Sequence, residues 1–142
     1  SPSKNFEKQK NEQIKPKKMS LFTILLSLDR EIHRKRIRIR TLEMINNGWI
    51  EETKRLIKIR DENNIFLPSL NSIGYEQIVS FLNGEMSKEI LLETIINKTW
   101  QYARKQVKWF RNEDIDLTID VTNLDNISAA NCIYDLYSEV SY

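Results

Sequence analysis

Between Lys98 and Arg111 the chain reads KTWQYARKQVKWFR, a stretch in which cationic and aromatic side chains recur at helical spacing. At about 3.6 residues per turn, Ile95, Thr99, Tyr102, Ala103, Gln106, Val107 and Phe110 fall on one side and are expected to pack inward. Trp100, Arg104, Lys108 and Arg111 make a second stripe at spacings of three and four, and Trp109 lies one turn from Lys105 and two from Tyr102. Lysine and arginine hold phosphates, while flat rings stack on unpaired bases. Their combination is what a single-stranded nucleic-acid contact requires. An amphipathic surface helix with solvated cations has the same composition, so composition alone does not separate the two.

Two other sets could do chemistry. Arg36 and Arg40 share one side of an earlier helix, with Ile32 and Ile39 on one edge and Ile37 and Met44 on the other. Arginines framed by core residues face either an anion or a carboxylate elsewhere in the fold. His33 lies near this side and reads as structural. Ser72-Ile73-Gly74-Tyr75-Glu76-Gln77 opens a short helix. A glycine there lets a phosphate or base come close to the backbone, and the first N–H groups favour anions, although a turn alone would also use Gly74. With glycine only at 48, 74 and 84, no GxxxxGK[ST] or GxGxxG loop exists. No His, Cys and carboxylate cluster has metal spacing, and no Ser, His and Asp set stands out.

The elements that must position these groups follow from caps and periodicity. Ser1 to Lys18, polar and lysine-rich, reads as a linker, and the division expected is 1–20 linker, 21–112 basic body and 113–142 acidic tail. Leu21 to Leu28 (LFTILLSL) predicts a strand buried on both faces, whose partner strands are expected on sequence outside this chain. Asp29 caps a helix to about Asn46, and Gly48 lies just beyond its end. Trp49 to about Asn63 makes a second helix, with Ile50, Thr53, Leu56, Ile57 and Arg60 at helical spacing, folded back as a hairpin. A loop carrying Pro68 leads to the Gly74 helix, which ends before Gly84; Ser87 then caps the long helix. Leu117 to Val121 predicts a short strand, and Ile127 to Tyr137 a last helix that packs through Ile133, Leu136 and Tyr137. The fold class is mainly α: a helical hairpin, a long basic helix and one or two short strands.

Charge is divided along the chain. All 22 lysines and arginines lie at or before Arg111, against 13 of the 20 acids, a net +9. The seven acids from Glu113 to Glu139 are unopposed, so the body faces a polyanion and the tail faces elsewhere. The longest apolar run, Leu21 to Leu28, is too short to span a bilayer, and no membrane association is expected. Cys132 is the only cysteine, so no internal disulfide forms and a reducing interior, the cytosol or an organelle matrix, is expected, the cytoplasm being the one preferred.

Tyr102-Ala103-Arg104-Lys105-Gln106 followed by Trp109-Phe110-Arg111 resembles the C-terminal signature of the tRNA dimethylallyltransferases. The likeness extends through most of the chain in order. Leu28-Asp29-Arg30-Glu31 resembles that family's strand-to-helix junction; Arg36-Ile37, Arg40, Met44, Gly48, Glu51-Glu52 and Leu56 keep its next spacings. Ser72-Ile73-Gly74-Tyr75-Glu76 is similar to its Ala-Ile-Gly-Tyr motif, and Phe81-Leu82-Asn83-Gly84 to its Tyr-Leu-x-Gly. Two departures stand out. The family has Thr-Arg where this chain has Thr99-Trp100, and Lys-Arg where it has Arg104-Lys105. The second swap keeps the charge; the first removes a cation, and with it one contact of the family pattern.

The resemblance implies the C-terminal half of an α/β P-loop-type transferase. Its reaction moves a dimethylallyl group from dimethylallyl diphosphate to N6 of adenine 37 beside the tRNA anticodon. It implies tRNA contacts through Arg104, Lys105, Gln106, Val107, Lys108, Trp109, Phe110 and Arg111, with a second contact at Asn71, Ser72, Ile73, Gly74, Tyr75 and Glu76, where Gly74 admits the nucleic-acid backbone. Arg36 or Arg40 is the group expected to face the diphosphate. Magnesium belongs to the complete enzyme; this half is expected to bind none, to lack the phosphate loop and general base, and to be inactive alone. The partners implied are a tRNA anticodon stem–loop and, in the complete enzyme, dimethylallyl diphosphate, acting on a monomer. The rival readings are a stand-alone basic helical RNA-binding module without catalysis and a domain that meets an acidic protein.

Overall fold

The computed structural model describes residues 21–140. The expected linker at 1–20 lies outside them. Five helices and two strands follow one another as β1 (Ile24–Ser27), α1 (Arg30–Asn46), α2 (Trp49–Asn63), α3 (Tyr75–Leu82), α4 (Lys88–Phe110), β2 (Leu117–Asp120) and α5 (Asn126–Val140). A 3-10 turn at Pro68–Asn71 precedes α3. The mainly helical class expected from the sequence is the one observed.

Local chemistry sets the helix boundaries. The Asp29 carboxylate accepts from the amides of Glu31 and Ile32, both at 3.0 Å, and starts α1. Gly48, at φ +99°, turns the chain so that α2 returns beside α1. Ser87 Oγ accepts from the Ile90 amide at 3.3 Å and starts α4. α1 buries Ile37, Thr41 and Ile45, one residue per turn; Thr41 and Thr53 satisfy their hydroxyls on the carbonyls four residues back, at 2.8 Å each. The main core joins Ile45, Trp49, Ile78, Leu91 and Ile95, and a smaller one joins Ile37, Ile96 and Ala103 with Trp100 against them.

β1 and β2 pair in parallel, Ile24 opposite Leu117 and Ser27 opposite Asp120. The pair is tied at both ends: the Thr23 amide donates to Asp116 Oδ2 at 2.6 Å, and the Asp29 amide to Thr122 Oγ1 at 2.9 Å. β1 is shorter than the Leu21 to Leu28 strand expected, and within this chain it is not covered on both faces: Leu26 is 49% exposed, and Leu21, ahead of the strand, 73%. The reason is that β2 is its only strand neighbour among the described residues, and a two-stranded sheet has neither the width nor the helical cover that shields a parallel sheet. α5 meets this sheet through Phe22 and Tyr137, whose rings lie 6.3 Å apart. No helix among the described residues is long and apolar enough to cross a membrane.

Candidate nucleic-acid interface

The geometry of the basic stretch follows from how α4 lies on α1. The two helices run antiparallel. Arg38 pairs with Glu93 at 2.5 Å, Arg34 donates to Asn97 at 3.4 Å, and His33 meets Trp100 at the end of the contact. Because α1 begins at Arg30, it has nothing left to offer α4 beyond that point. Ala103 is the last buried residue of α4. The seven residues from Arg104 to Phe110 overhang the helical body by about 10 Å.

That overhang corrects the inward face expected from periodicity. Ile95 and Ala103 are buried and Thr99 partly so, but Tyr102, Gln106, Val107 and Phe110 are exposed. The helical spacing holds; the packing partner stops one turn too early.

The exposed end of α4 has two chemically different flanks. Lys98, Tyr102, Lys105 and Trp109 follow spacings of four, three and four, and so share one flank. Tyr102, Trp109 and Phe110 enclose a shallow hollow of ≈ 360 Å³ with Lys105 and Gln106, and the Trp109 and Phe110 rings meet edge to face at 4.9 Å. On the opposite flank, Trp100, Arg104, Val107, Lys108 and Arg111 face β1 across a cleft of ≈ 790 Å³, whose far wall carries Leu25, Leu28 and Arg30. Arg104, Lys105, Lys108 and Arg111 make no ion pair among the described residues, whereas Arg38, Lys54, Lys58, Arg60 and Lys98 all do. Unpaired cations beside exposed rings form a surface suited to RNA phosphates and unpaired bases.

The Ser72–Glu76 segment lies beside the ring-bearing flank. Glu76 forms an ion pair with Lys98 at 3.2 Å and accepts from Gln77 Nε2 at 2.8 Å. Lys98, and secondarily Gln77, hold the Glu76 carboxyl below the ordinary glutamate range. A depressed folded value means that its small contribution to stability is present above the unfolded glutamate range and is lost as pH falls through the folded value. Lys98→Met is therefore expected to raise the Glu76 midpoint in a carboxyl-carbon NMR titration, with little effect on stability because both side chains are largely exposed. An unmoved midpoint would show that Lys98 is not the cause.

Gly74 plays another part than the one expected. At φ +97° it is buried, its amide donates to Gln77 Oε1 at 2.7 Å, and the space its side chain would take is filled by the Trp49 ring. On that side the glycine admits an indole of the same chain, not a nucleic-acid backbone. Tyr75 likewise turns to the body, edge-on to Trp49 and donating to Glu52 at 2.7 Å, which raises its phenol above the ordinary range. Asn71, Ser72, Ile73 and Glu76 stay exposed.

Arg36 and Arg40 stand exposed on α1, apart from the cleft and without an ion-pair partner among the described residues. The apolar frame expected around them is mostly open: Ile37 is buried, but Ile32, Ile39 and Met44 are 36%, 45% and 36% exposed. A helix that packs through one narrow stripe leaves both flanks outside. Sequence reasoning misses the far wall of the cleft. Helical spacing puts Trp100 on the right stripe, but nothing in the local pattern says that Arg30 and His33 face it.

Helices hung on a parallel strand pair, with a basic and aromatic helix end projecting from them, define a mainly helical module with one strongly cationic, ring-bearing end. The comparison with known proteins is more specific: the IPP transferase family model matches residues 1–113, and the chain belongs to that family. It is 39% identical over 98 residues to the tRNA dimethylallyltransferase of Coprothermobacter proteolyticus, covering 68% of this chain and 31% of that protein. It is 34% identical over 131 residues to the tRNA dimethylallyltransferase of Pseudothermotoga lettingae, covering 92% and 41%. Among solved structures, the full-length tRNA isopentenylpyrophosphate transferase of Bacillus halodurans superposes with a TM-score of 0.75 at 26% identity, over 88% of this chain and 40% of that one. The corresponding protein of Staphylococcus epidermidis, at 23% identity and a TM-score of 0.70, shares the fold. The chain thus spans roughly a third to two fifths of the length of these relatives.

Proposed function

We propose that this chain is the tRNA-gripping C-terminal part of a tRNA dimethylallyltransferase. The complete enzyme transfers the dimethylallyl group of dimethylallyl diphosphate to N6 of the adenine beside the anticodon. The observation that carries this reading is the overhanging end of α4, where four cations without ion-pair partners among the described residues and three exposed rings stand free of the body. Cations on the cleft flank hold the phosphates of the anticodon stem–loop, and Tyr102, Trp109 and Phe110 on the other flank stack on unpaired bases. Asn71, Ser72, Ile73 and Glu76 border the second flank and complete the contact, and the protein acts as a cytoplasmic monomer.

Catalysis on this reading needs groups from additional polypeptide. Among the described residues no three His, Cys, Asp or Glu side chains converge, and the magnesium ion that accompanies the diphosphate is assigned on this reading to the additional polypeptide and the diphosphate itself. Arg36 and Arg40 carry exposed guanidinium groups that suit a departing diphosphate once the remainder of the enzyme is docked against α1.

The test combines binding with turnover. The chain is expected to bind an anticodon stem–loop RNA with a steep salt dependence, and to give no prenylated adenine when incubated with tRNA, magnesium and dimethylallyl diphosphate. Genuine turnover would overturn the division of labour. RNA binding that is absent, or insensitive to salt, would overturn the interface itself. Equal affinity for acidic peptides would favour a protein partner instead.

A further inference from the structure

The cleft beside α4 holds groups that the RNA reading leaves without a role. The guanidinium carbon of Arg30 lies 5.9 Å from the centre of the Trp100 ring. His33, one turn further along α1, presents its ring edge to the same indole at 5.6 Å and 86°. Trp100 stands one turn before Arg104 on the cleft flank of α4, and Arg30, His33 and Trp100 all line the cleft. Among the described residues no carboxylate lines it. Two acids adjoin Arg30 in sequence: Asp29 is committed to the amides of Glu31 and Ile32, and Glu31 neither lines the cleft nor forms an ion pair with Arg30 among the described residues.

We propose that Arg30, held over Trp100, joins Arg104, Lys108 and Arg111 in a phosphate-binding site that spans the cleft from α1 to α4. This rests on the reading of α4 as the RNA-gripping helix and extends it to a second element. A guanidinium resting on an indole is partly ordered before ligand arrives, so less side-chain freedom is lost when it forms its paired hydrogen bonds to phosphate oxygens. The arrangement also accounts for the tryptophan at position 100. The indole carries no charge itself, but it steadies a cation supplied from α1, so the cleft keeps its positive wall. Trp100 is on this account a positioning residue, and Arg30 the ligand-facing one. The chemistry recognised is a phosphoryl group, supplied either by the backbone of RNA or by a small diphosphate.

The experiment uses the full chain, with fluorescence anisotropy of a labelled anticodon stem–loop RNA across a salt series, and inorganic diphosphate as the second probe. Arg30→Met is expected to weaken RNA binding about five- to tenfold and to lower the salt slope by about 0.7 to 0.9, the signature of one lost phosphate contact. Trp100→Leu should weaken binding less and Trp100→Phe less still, since a ring face remains for Arg30. A loss confined to diphosphate binding would support the site with the small ligand as its source. If Arg30→Met changes neither probe while Arg104→Ala with Lys108→Ala weakens RNA binding, the site is overturned and the α4 interface stands. If neither variant changes RNA binding, both readings fall. Circular dichroism of each variant separates these outcomes from loss of fold.

Discussion

Gly74→Ala is expected to cost about 2 to 5 kcal/mol of stability, or to prevent folding, the largest effect foreseen for any single methyl group in this chain. Two costs add. An L-residue at φ +97° is strained by about 1 to 2 kcal/mol. The new Cβ would also stand 2.1 Å from two carbons of the Trp49 ring, so that ring must move. Trp49 is 8% exposed and packs with Ile45, Ile78, Leu91 and Ile95, three of which are essentially sealed from solvent. Displacing it disturbs the junction of α1, α2, α3 and α4 at once, and overpacking of that kind costs about 1 to 3 kcal/mol. Gly48→Ala is the internal control. Its φ of +99° is also positive but, with ψ +19° against −58° at Gly74, it lies in the milder left-handed region, and nothing lies within 4 Å of a Cβ there. Urea titrations should show a loss of only about 1 kcal/mol for Gly48→Ala. Equal losses at the two positions would mean that the approach of Trp49 to Gly74 does not matter.

The second large effect concerns RNA. Removing Arg104, Lys108 and Arg111 together should lower affinity for an anticodon stem–loop by about 10² to 10³ at low salt, and reduce the salt slope by about 2, since each phosphate contact on a single strand contributes about 0.7. Tyr102→Ala with Trp109→Ala should behave differently. Stacking contributes about 1 to 3 kcal/mol per base and releases no counterions, so affinity should fall with the slope nearly unchanged. The separation arises because the cations face the β1 cleft while these rings face the Lys98 flank, on opposite sides of one helix. Neither variant should change stability much, because all five side chains are exposed. Identical slopes for the two variants would mean that the flanks do not divide the work.

The caps at Asp29 and Ser87, the turn at Gly48 and the extents of α1, α2 and α4 were legible in the sequence because each depends on residues within a turn or two. The ordered motifs from Leu28 to Arg111 carried the family for the same reason: they are read along the chain. Burial was less legible. Periodicity put Tyr102, Val107 and Phe110 on one side with Ile95, yet that side is covered only as far as Ala103 because α1 starts at Arg30, and beyond it Tyr102 and Val107 open onto opposite flanks of α4.

By itself, then, the sequence determined which segments are helices and strands, which side chains share a face, and the division of charge between body and tail. Tertiary structure alone decided that Trp49 fills the space at Gly74, that Arg30 reaches Trp100, and that the end of α4 stands free. Those relations join residues 25 to 70 positions apart, and their distances are set by helix lengths and packing registers that no local pattern encodes.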